Sequence, residues 1–411
     1  MPEKLFSGGV SNSVVELGLV DEVTSIGSLT FVTAGALVDP ADGEIVAVFK
    51  GDIPDDILNA TSSFGRGYSA KGLSIGTSCT SIGSYSFYYC TGITGNLVIP
   101  DSVTSIGSYA FNYCESLTSV TFGSNLISIG NDSFSYGYGF TGDLVIPDSV
   151  TSIGAYAFND CAFDGTLTLP NNSNFTVLED SVFSYMPGLT GPLVIPDSVT
   201  TIKQSAFYDC NSLTSLTIGN GVTSIGDRSF SYCSAFTSLT IGNSVTSIGN
   251  ESFRNCNGLT SLNIPDNVTS IGSQAFFYCN GLTSLTIGNG VTSIGGYAFG
   301  YCSGLTGSLV IDGVASIGAQ AFRDCSGLTS LIIENSVTSI GGVAFDSCSG
   351  LITLYTNTPA SSWTGASNLQ GTTALVNIYT GPNATGYDAT WKSNQGTSAS
   401  ISTWTNYPNI P

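Results

Sequence analysis

The stretch GVTSIGDRSFSYCSAFTSLTIGN, residues 221–243, decides the fold, because the chain repeats it almost verbatim on both sides. Anchoring each copy on the Ile or Leu five residues before a Phe gives Ile82, Ile106, Ile129, Ile153, Leu178, Ile202, Ile225, Ile248, Ile271, Ile294, Ile317 and Ile340. The intervals run 24, 23, 24, 25 and 24, then 23 six times. A period this constant, sustained over residues 73–355, is the signature of a solenoid.

Around Ile225, Leu213, Leu216 and Ile218 are spaced by Thr and Ser, the pattern of a short strand with one apolar face. Gly219-Asn220-Gly221 is a turn. Val222 and Ile225 make a second extended piece that ends at Gly226. Phe230 and Cys233, three apart, predict one helical or 3-10 turn that closes the coil. One copy cannot bury these groups, whereas stacked copies bury them as columns. The Phe column is complete: Phe87, Phe111, Phe134, Phe158, Phe183, Phe207, Phe230, Phe253, Phe276, Phe299, Phe322 and Phe345.

The motifs Leu216-Thr-Ile218, Val222-Thr-Ser-Ile225-Gly226 and Phe230-Ser-Tyr-Cys233 resemble the BspA-like leucine-rich repeat family. So does the IPDSV turn at Ile99–Val103, Ile146–Val150 and Ile195–Val199. The resemblance implies a β-rich, right-handed leucine-rich repeat solenoid. It also implies a surface or secreted protein of adhesion and recognition.

Composition removes whole classes of function. Of 411 residues, 9 are Lys or Arg against 29 Asp or Glu, and the formal net charge is −20. That balance opposes nucleic-acid binding, which needs clustered cations. With no His, Ser-His and Cys-His catalysis and imidazole metal sites are excluded. No G-x-S-x-G, P-loop or recurrent carboxylate pair points to an enzyme. No apolar run approaches the length of a membrane span. The opening MPEKLFSGGVSNSVVELG lacks the apolar core of a secretory signal, so a cytosolic chain, a virion-assembled one or export by another route is expected. No cofactor or metal is expected.

Ten of the 11 Cys stand three residues after the ladder Phe, from Cys90 and Cys114 to Cys348; Cys79 is the exception. The plainer reading is a column of buried free thiols. Disulfides between neighbouring rungs are the alternative, since stacked strands lie about 4.8 Å apart, near the disulfide range.

The ends differ from the array. In residues 1–72, Leu29–Leu37 and Glu44–Phe49 read as strands around Asp39–Gly43, predicting a small β hairpin that caps or attaches the stack. Residues 356–411 form the other end. There Leu375-Val-Asn-Ile378-Tyr379-Thr-Gly-Pro382 and Tyr387–Lys392 look like the terminal cap of the same family: a last strand, a Pro turn and a short helix with Tyr and Trp. Trp363, Trp391 and Trp404 all lie in this end, as core or as a carbohydrate platform.

Three features are candidates for binding. The Thr of VTSIG forms a regular ladder, including Thr104, Thr151, Thr200, Thr223, Thr246, Thr269 and Thr292. Tyrosines cluster at the closing turn, among them Tyr109, Tyr156, Tyr208, Tyr232 and Tyr278. The middle residue of the Leu-x-Ile strand makes a second ladder of Val and Thr with a single Asn, Asn263, and a single Ile, Ile332. Strand propensity and packing between rungs explain these residues without function. The same geometry also suits a cell-surface glycan or protein, copies of the chain itself, other virion or filament proteins, or ice. The Asp of IPDSV or IPDNV (Asp101, Asp148, Asp197, Asp266) is expected to cap its turn. The reading that follows is a non-enzymatic recognition and adhesion protein on a surface or virion appendage. A purely structural self-assembling component and an ice-binding solenoid are the alternatives.

Overall fold

Each copy of the repeat makes one coil, and the coil around Ile225 shows why. Leu213, Leu216 and Ile218 turn inward on the strand Leu213–Ile218, while Thr214 and Thr217 face solvent. Strand polarity of this kind is the period-2 pleat. The Gly219–Gly221 turn is closed by Val222 N–H on the Gly219 carbonyl at 3.3 Å. The two-residue strand Ser224–Ile225 follows, with Ile225 buried. Beyond it the backbone runs so close to the preceding coil that a Cβ on Gly226 would lie 2.5 Å from the Lys203 carbonyl carbon. Only glycine permits that approach.

The closing turn has the i to i+3 hydrogen bond of a 3-10 turn, Cys233 N–H to Phe230 O at 3.4 Å. It does not extend into a helix. Arg228 and Tyr232, two residues before and after Phe230, hold left-handed φ of 56° and 65° and bend the chain out of any helical path.

This computed structural model describes residues 45–49, 53 and 70–403. The chain divides into two compact units, Met1–Asp164 and Gly165–Pro411. The boundary falls inside the repeat array, within the 25-residue interval from Ile153 to Leu178. Both units are parallel β-solenoid with very little helix.

In Met1–Asp164, the short strands Ser81–Ile82, Ser105–Ile106, Ser128–Ile129 and Ser152–Ile153 pair in register as one parallel sheet. Their Ile rungs stack, as do Phe87, Phe111, Phe134 and Phe158, at ring separations of 5.1, 5.2 and 5.2 Å. The strand expected at Glu44–Phe49 is present over Ile45–Phe49. Its observed partner is Ala70–Ile75, in parallel. The hairpin partner proposed at Leu29–Leu37 and the turn at Asp39–Gly43 lie outside the described residues. Ile53 bridges to Ile82 and is 1% exposed, so it occupies the anchor column one coil earlier.

In Gly165–Pro411, eight short strands from Val177–Leu178 to Ser339–Ile340 form a single parallel sheet. The rings of Phe183, Phe207, Phe230, Phe253, Phe276, Phe299, Phe322 and Phe345 stack at 5.1–5.4 Å and all are buried. Full burial of each ring contributes about 2–3 kcal/mol.

The thiols complete the core. Every cysteine is free, and all but the half-buried Cys90 are buried. Cys233 donates to Phe207 O at 3.3 Å and Cys256 to Phe230 O at 3.3 Å, each reaching the carbonyl one coil back. The sulfur is thus a weak donor to a buried carbonyl, and no rung is bridged.

At the C-terminal end, Asn377–Thr380 pairs in parallel with Thr353–Thr356 and with Ser400–Thr403. A helix over Ala389–Gln395 lies between, its N-terminus capped by Asp388 Oδ1 on Trp391 N–H at 2.8 Å. Trp363 and Trp391 pack edge to face at 5.5 Å and are 5% and 6% exposed. They are core residues, which removes them as a carbohydrate platform; Trp404 lies outside the described residues.

Candidate binding surface

Two positions in every coil take left-handed φ without glycine, and tyrosine fills many of them. Tyr85 and Tyr89, two residues either side of Phe87, have φ of 56° and 60°. The conformation is held because alternate N–H groups donate to the next coil: Tyr85 to Ser108 O at 2.9 Å, Phe87 to Ala110 O at 2.8 Å and Tyr89 to Asn112 O at 2.9 Å. A left-handed residue costs about 1–2 kcal/mol. The inter-coil bonds offset it, and the side chains between which Phe is buried are thrown outward.

These side chains then stack on one another. In Met1–Asp164, Tyr109 lies on Tyr85 at 4.7 Å, nearly parallel. Tyr89, Tyr113 and Tyr136 form a second stack at 4.2 and 4.3 Å. Tyr156 holds the same rung as Tyr109 and is 45% exposed. The neighbouring Asp132 carboxylate pushes the Tyr109 phenol above its ordinary value. Burial and a 3.1 Å hydrogen bond to Asp160 bring Tyr138 to about 12.

In Gly165–Pro411, Tyr185, Tyr208 and Tyr232 follow one another at 5.1 and 5.4 Å with tilted rings. Tyr278 stacks on Tyr301 at 4.7 Å. Between these groups the Phe+2 position is Asn255, and the Phe−2 column beside it is charged. Glu251 takes the left-handed rung and is bound by Arg228 at 2.8 Å and Arg254 at 3.1 Å. The structure therefore assembles Tyr109, Tyr208, Tyr232 and Tyr278 into separate aromatic groups, while Tyr156 stands apart from Tyr109 with the Asp132 rung between them. The left-handed geometry went unpredicted; its signal in the sequence was the recurrence of Tyr at Phe−2 and Phe+2.

The Thr ladder serves a different end. Thr104 Oγ1 donates to Thr80 O at 3.2 Å and Thr151 Oγ1 to Ile127 O at 3.3 Å. Thr200, Thr223, Thr246, Thr269 and Thr292 do the same to the preceding coil at 3.0–3.1 Å. All are exposed except the half-buried Thr151. Each hydroxyl proton is committed inside the protein, so the ladder offers solvent only oxygen lone pairs and methyl groups.

Three of the turn aspartates, Asp101, Asp197 and Asp266, bond between coils. Asp101 Oδ1 accepts from Ser124 N–H at 2.7 Å, and Asp197 Oδ1 from Asn220 N–H at 2.6 Å. An N–H one coil away lies nearer than the turn's own because stacked coils present the same position in register. The Ser124 bonds hold the Asp101 carboxyl below its ordinary value. Among the described residues, no three His, Cys, Asp or Glu side chains converge as a metal site would require.

The profile of the BspA type leucine rich repeat region (6 copies) matches residues 60–190, 176–306 and 306–389. The chain belongs to the BspA-type leucine-rich repeat family. A leucine-rich repeat protein from Bacteroides ovatus aligns with this BspA-type chain at a TM-score of 0.67 and 24% identity, over 90% of this chain and 97% of that one. A leucine rich cell surface protein of Faecalibacterium prausnitzii is 26% identical over 90% of this chain and 99% of its own, with a TM-score of 0.45. The pneumococcal vaccine antigen PcpA is 16% identical over 87% and 85%, with a TM-score of 0.42. No curated protein matches the sequence. Among the described residues, no helix of this BspA-type protein is long and apolar enough to cross a membrane.

Proposed function

We propose that this BspA-type array is a non-enzymatic recognition or adhesion module, displayed on a cell surface, in the extracellular space or on a virion appendage. It engages a cell-surface glycan or protein through the tyrosine-bearing turns. The observation that carries this reading is the pre-stacking of tyrosines in register, the exposed Tyr89 on the half-buried Tyr113 at 4.2 Å and the exposed Tyr278 on the half-buried Tyr301 at 4.7 Å. Rings locked by their neighbours lose little entropy on binding, and each offers large contact area with a polar tip. Membership of the BspA-type family supports the same role.

The test is binding of the labelled chain to whole cells and immobilised glycans. Replacing Tyr85, Tyr109, Tyr113 and Tyr156 together by Asn, which tolerates left-handed φ, should lower binding at least tenfold with the melting temperature little changed. Unaltered binding by that variant sinks the reading. Immunogold electron microscopy of the native source places the protein on a cell surface or a virion. Sedimentation checks the self-assembling alternative, which needs polymers of the purified chain.

A further inference from the structure

Within Gly165–Pro411 the sheet of longer strands is interrupted. One three-stranded sheet ends at Ser238–Thr240, Ser261–Asn263 and Ser284–Thr286 form a separate pair, and the next sheet starts at Gly307–Ile311. The three interrupted strands are 3 residues long, against 6 in Leu213–Ile218 and 5 in Gly307–Ile311. On two of the three the inward leucine is partly uncovered, while Leu262 on the strand of Asn263 is 3% exposed. Leu239 and Leu285 are half-buried, whereas Leu216 and Leu309 are 1% and 2% exposed.

Over this stretch lies an open depression of about 660 Å³, inside the range of small-molecule sites, about 300–1,000 Å³. Pro265 and Ile287, both half-buried, supply apolar surface, and the exposed Asn243, Asn263 and Asp266 supply polar groups. Asn263 stands where the ladder otherwise carries Val, Thr or Ile, so the one amide of that ladder lines this depression. Asp266 is oriented by the Asn289 N–H on its Oδ1 at 2.9 Å.

We propose that this depression is a binding site for a neutral saccharide. A sugar ring presents C–H faces to apolar surface and vicinal hydroxyls that both donate and accept. An Asn amide beside a carboxylate answers both needs. No Lys or Arg lines the depression. Asp266 and the formal net charge of −20 disfavour anionic sugars, phosphates and sulfates. The inference rests on the reading of the chain as a recognition module and adds a ligand class at a surface separate from the tyrosines.

The experiment is an array of neutral, sialylated and sulfated oligosaccharides, followed by titration of the best binder against variants. Asn263→Thr restores the residue of the neighbouring rungs Thr240 and Thr286, and Asp266→Asn the residue of rungs 243 and 289, so both variants keep the fold. Loss of a ligand hydrogen bond in each should weaken the affinity for a neutral glycan about tenfold. The tyrosine variant should bind that glycan normally. Absence of any neutral binder, selection of anionic sugars, or an unchanged affinity in Asn263→Thr overturns the proposal. If the tyrosine variant alone loses cell binding, the recognition reading stands and this site fails. If Asn263→Thr alone loses binding, the reverse holds.

Discussion

Thr223 reaches the Thr200 carbonyl oxygen twice, through its backbone N–H at 2.9 Å and through its Oγ1 at 3.1 Å. One acceptor on one coil thus receives both donors of the residue stacked above it. Thr223→Val keeps the shape and the backbone bond and removes only the hydroxyl. The expected loss of stability is about 0.5–1.5 kcal/mol, read as a lower denaturant midpoint at unchanged slope. The same commitment predicts no thermal hysteresis from the purified chain, and measurable hysteresis would restore the ice-binding alternative.

Phe253 is sandwiched between Phe230 at 5.4 Å and Phe276 at 5.1 Å, with no exposed surface. Phe253→Ala opens a cavity shared by three coils. The expected cost is about 3–5 kcal/mol. A calorimetric melt little changed from the native protein would contradict the stacked column.

Ser252 Oγ is buried without a hydrogen-bond partner, as is Ser229 Oγ. The equivalent rungs are Ala275, Ala298, Ala321 and Ala344, all fully buried. Ser252→Ala removes an unpaired hydroxyl and should raise stability by about 1 kcal/mol. A destabilised variant would show that the hydroxyl has a use the fold does not reveal.

Burial lifts the thiols of Cys161, Cys210 and Cys279 from 9.0 to about 12. Between those values the unfolded chain has lost protons that the folded chain keeps. Stability is therefore fully present below pH 9 and falls as the pH rises toward 12, by about 1.4 kcal/mol per pH unit for each such thiol. Urea midpoints across pH 8–11 measure the slope, and alanine at one of these sites should reduce it. At neutral pH a thiol reagent should leave the buried thiols unmodified until the chain unfolds.

The repeat period, the Phe and Cys columns and the two short strands were legible from spacing alone, because a coil of fixed length puts the same residue against itself. The binding surface was only half legible. Tyr109, Tyr156, Tyr208, Tyr232 and Tyr278 were visible as a cluster, but the left-handed backbone of all except Tyr208 was not. No local sequence rule asks a tyrosine for positive φ; the N–H bonds to the next coil impose it. The Thr ladder was legible as an array, while its use as an inter-coil donor depends on where the preceding carbonyl lies. The same holds for Asp101 and Asp197, whose partners Ser124 and Asn220 belong to the next copy.

The sequence by itself determined that coils of equal length stack and bury a Phe each, since a repeated apolar pattern admits no other way to leave water. Only the tertiary structure decided which polar groups remain for a partner. Contacts between residues some 23 positions apart consume the Thr hydroxyls, orient the tyrosines and open the sheet beside Asn263, and such contacts exist only once the coils are in register.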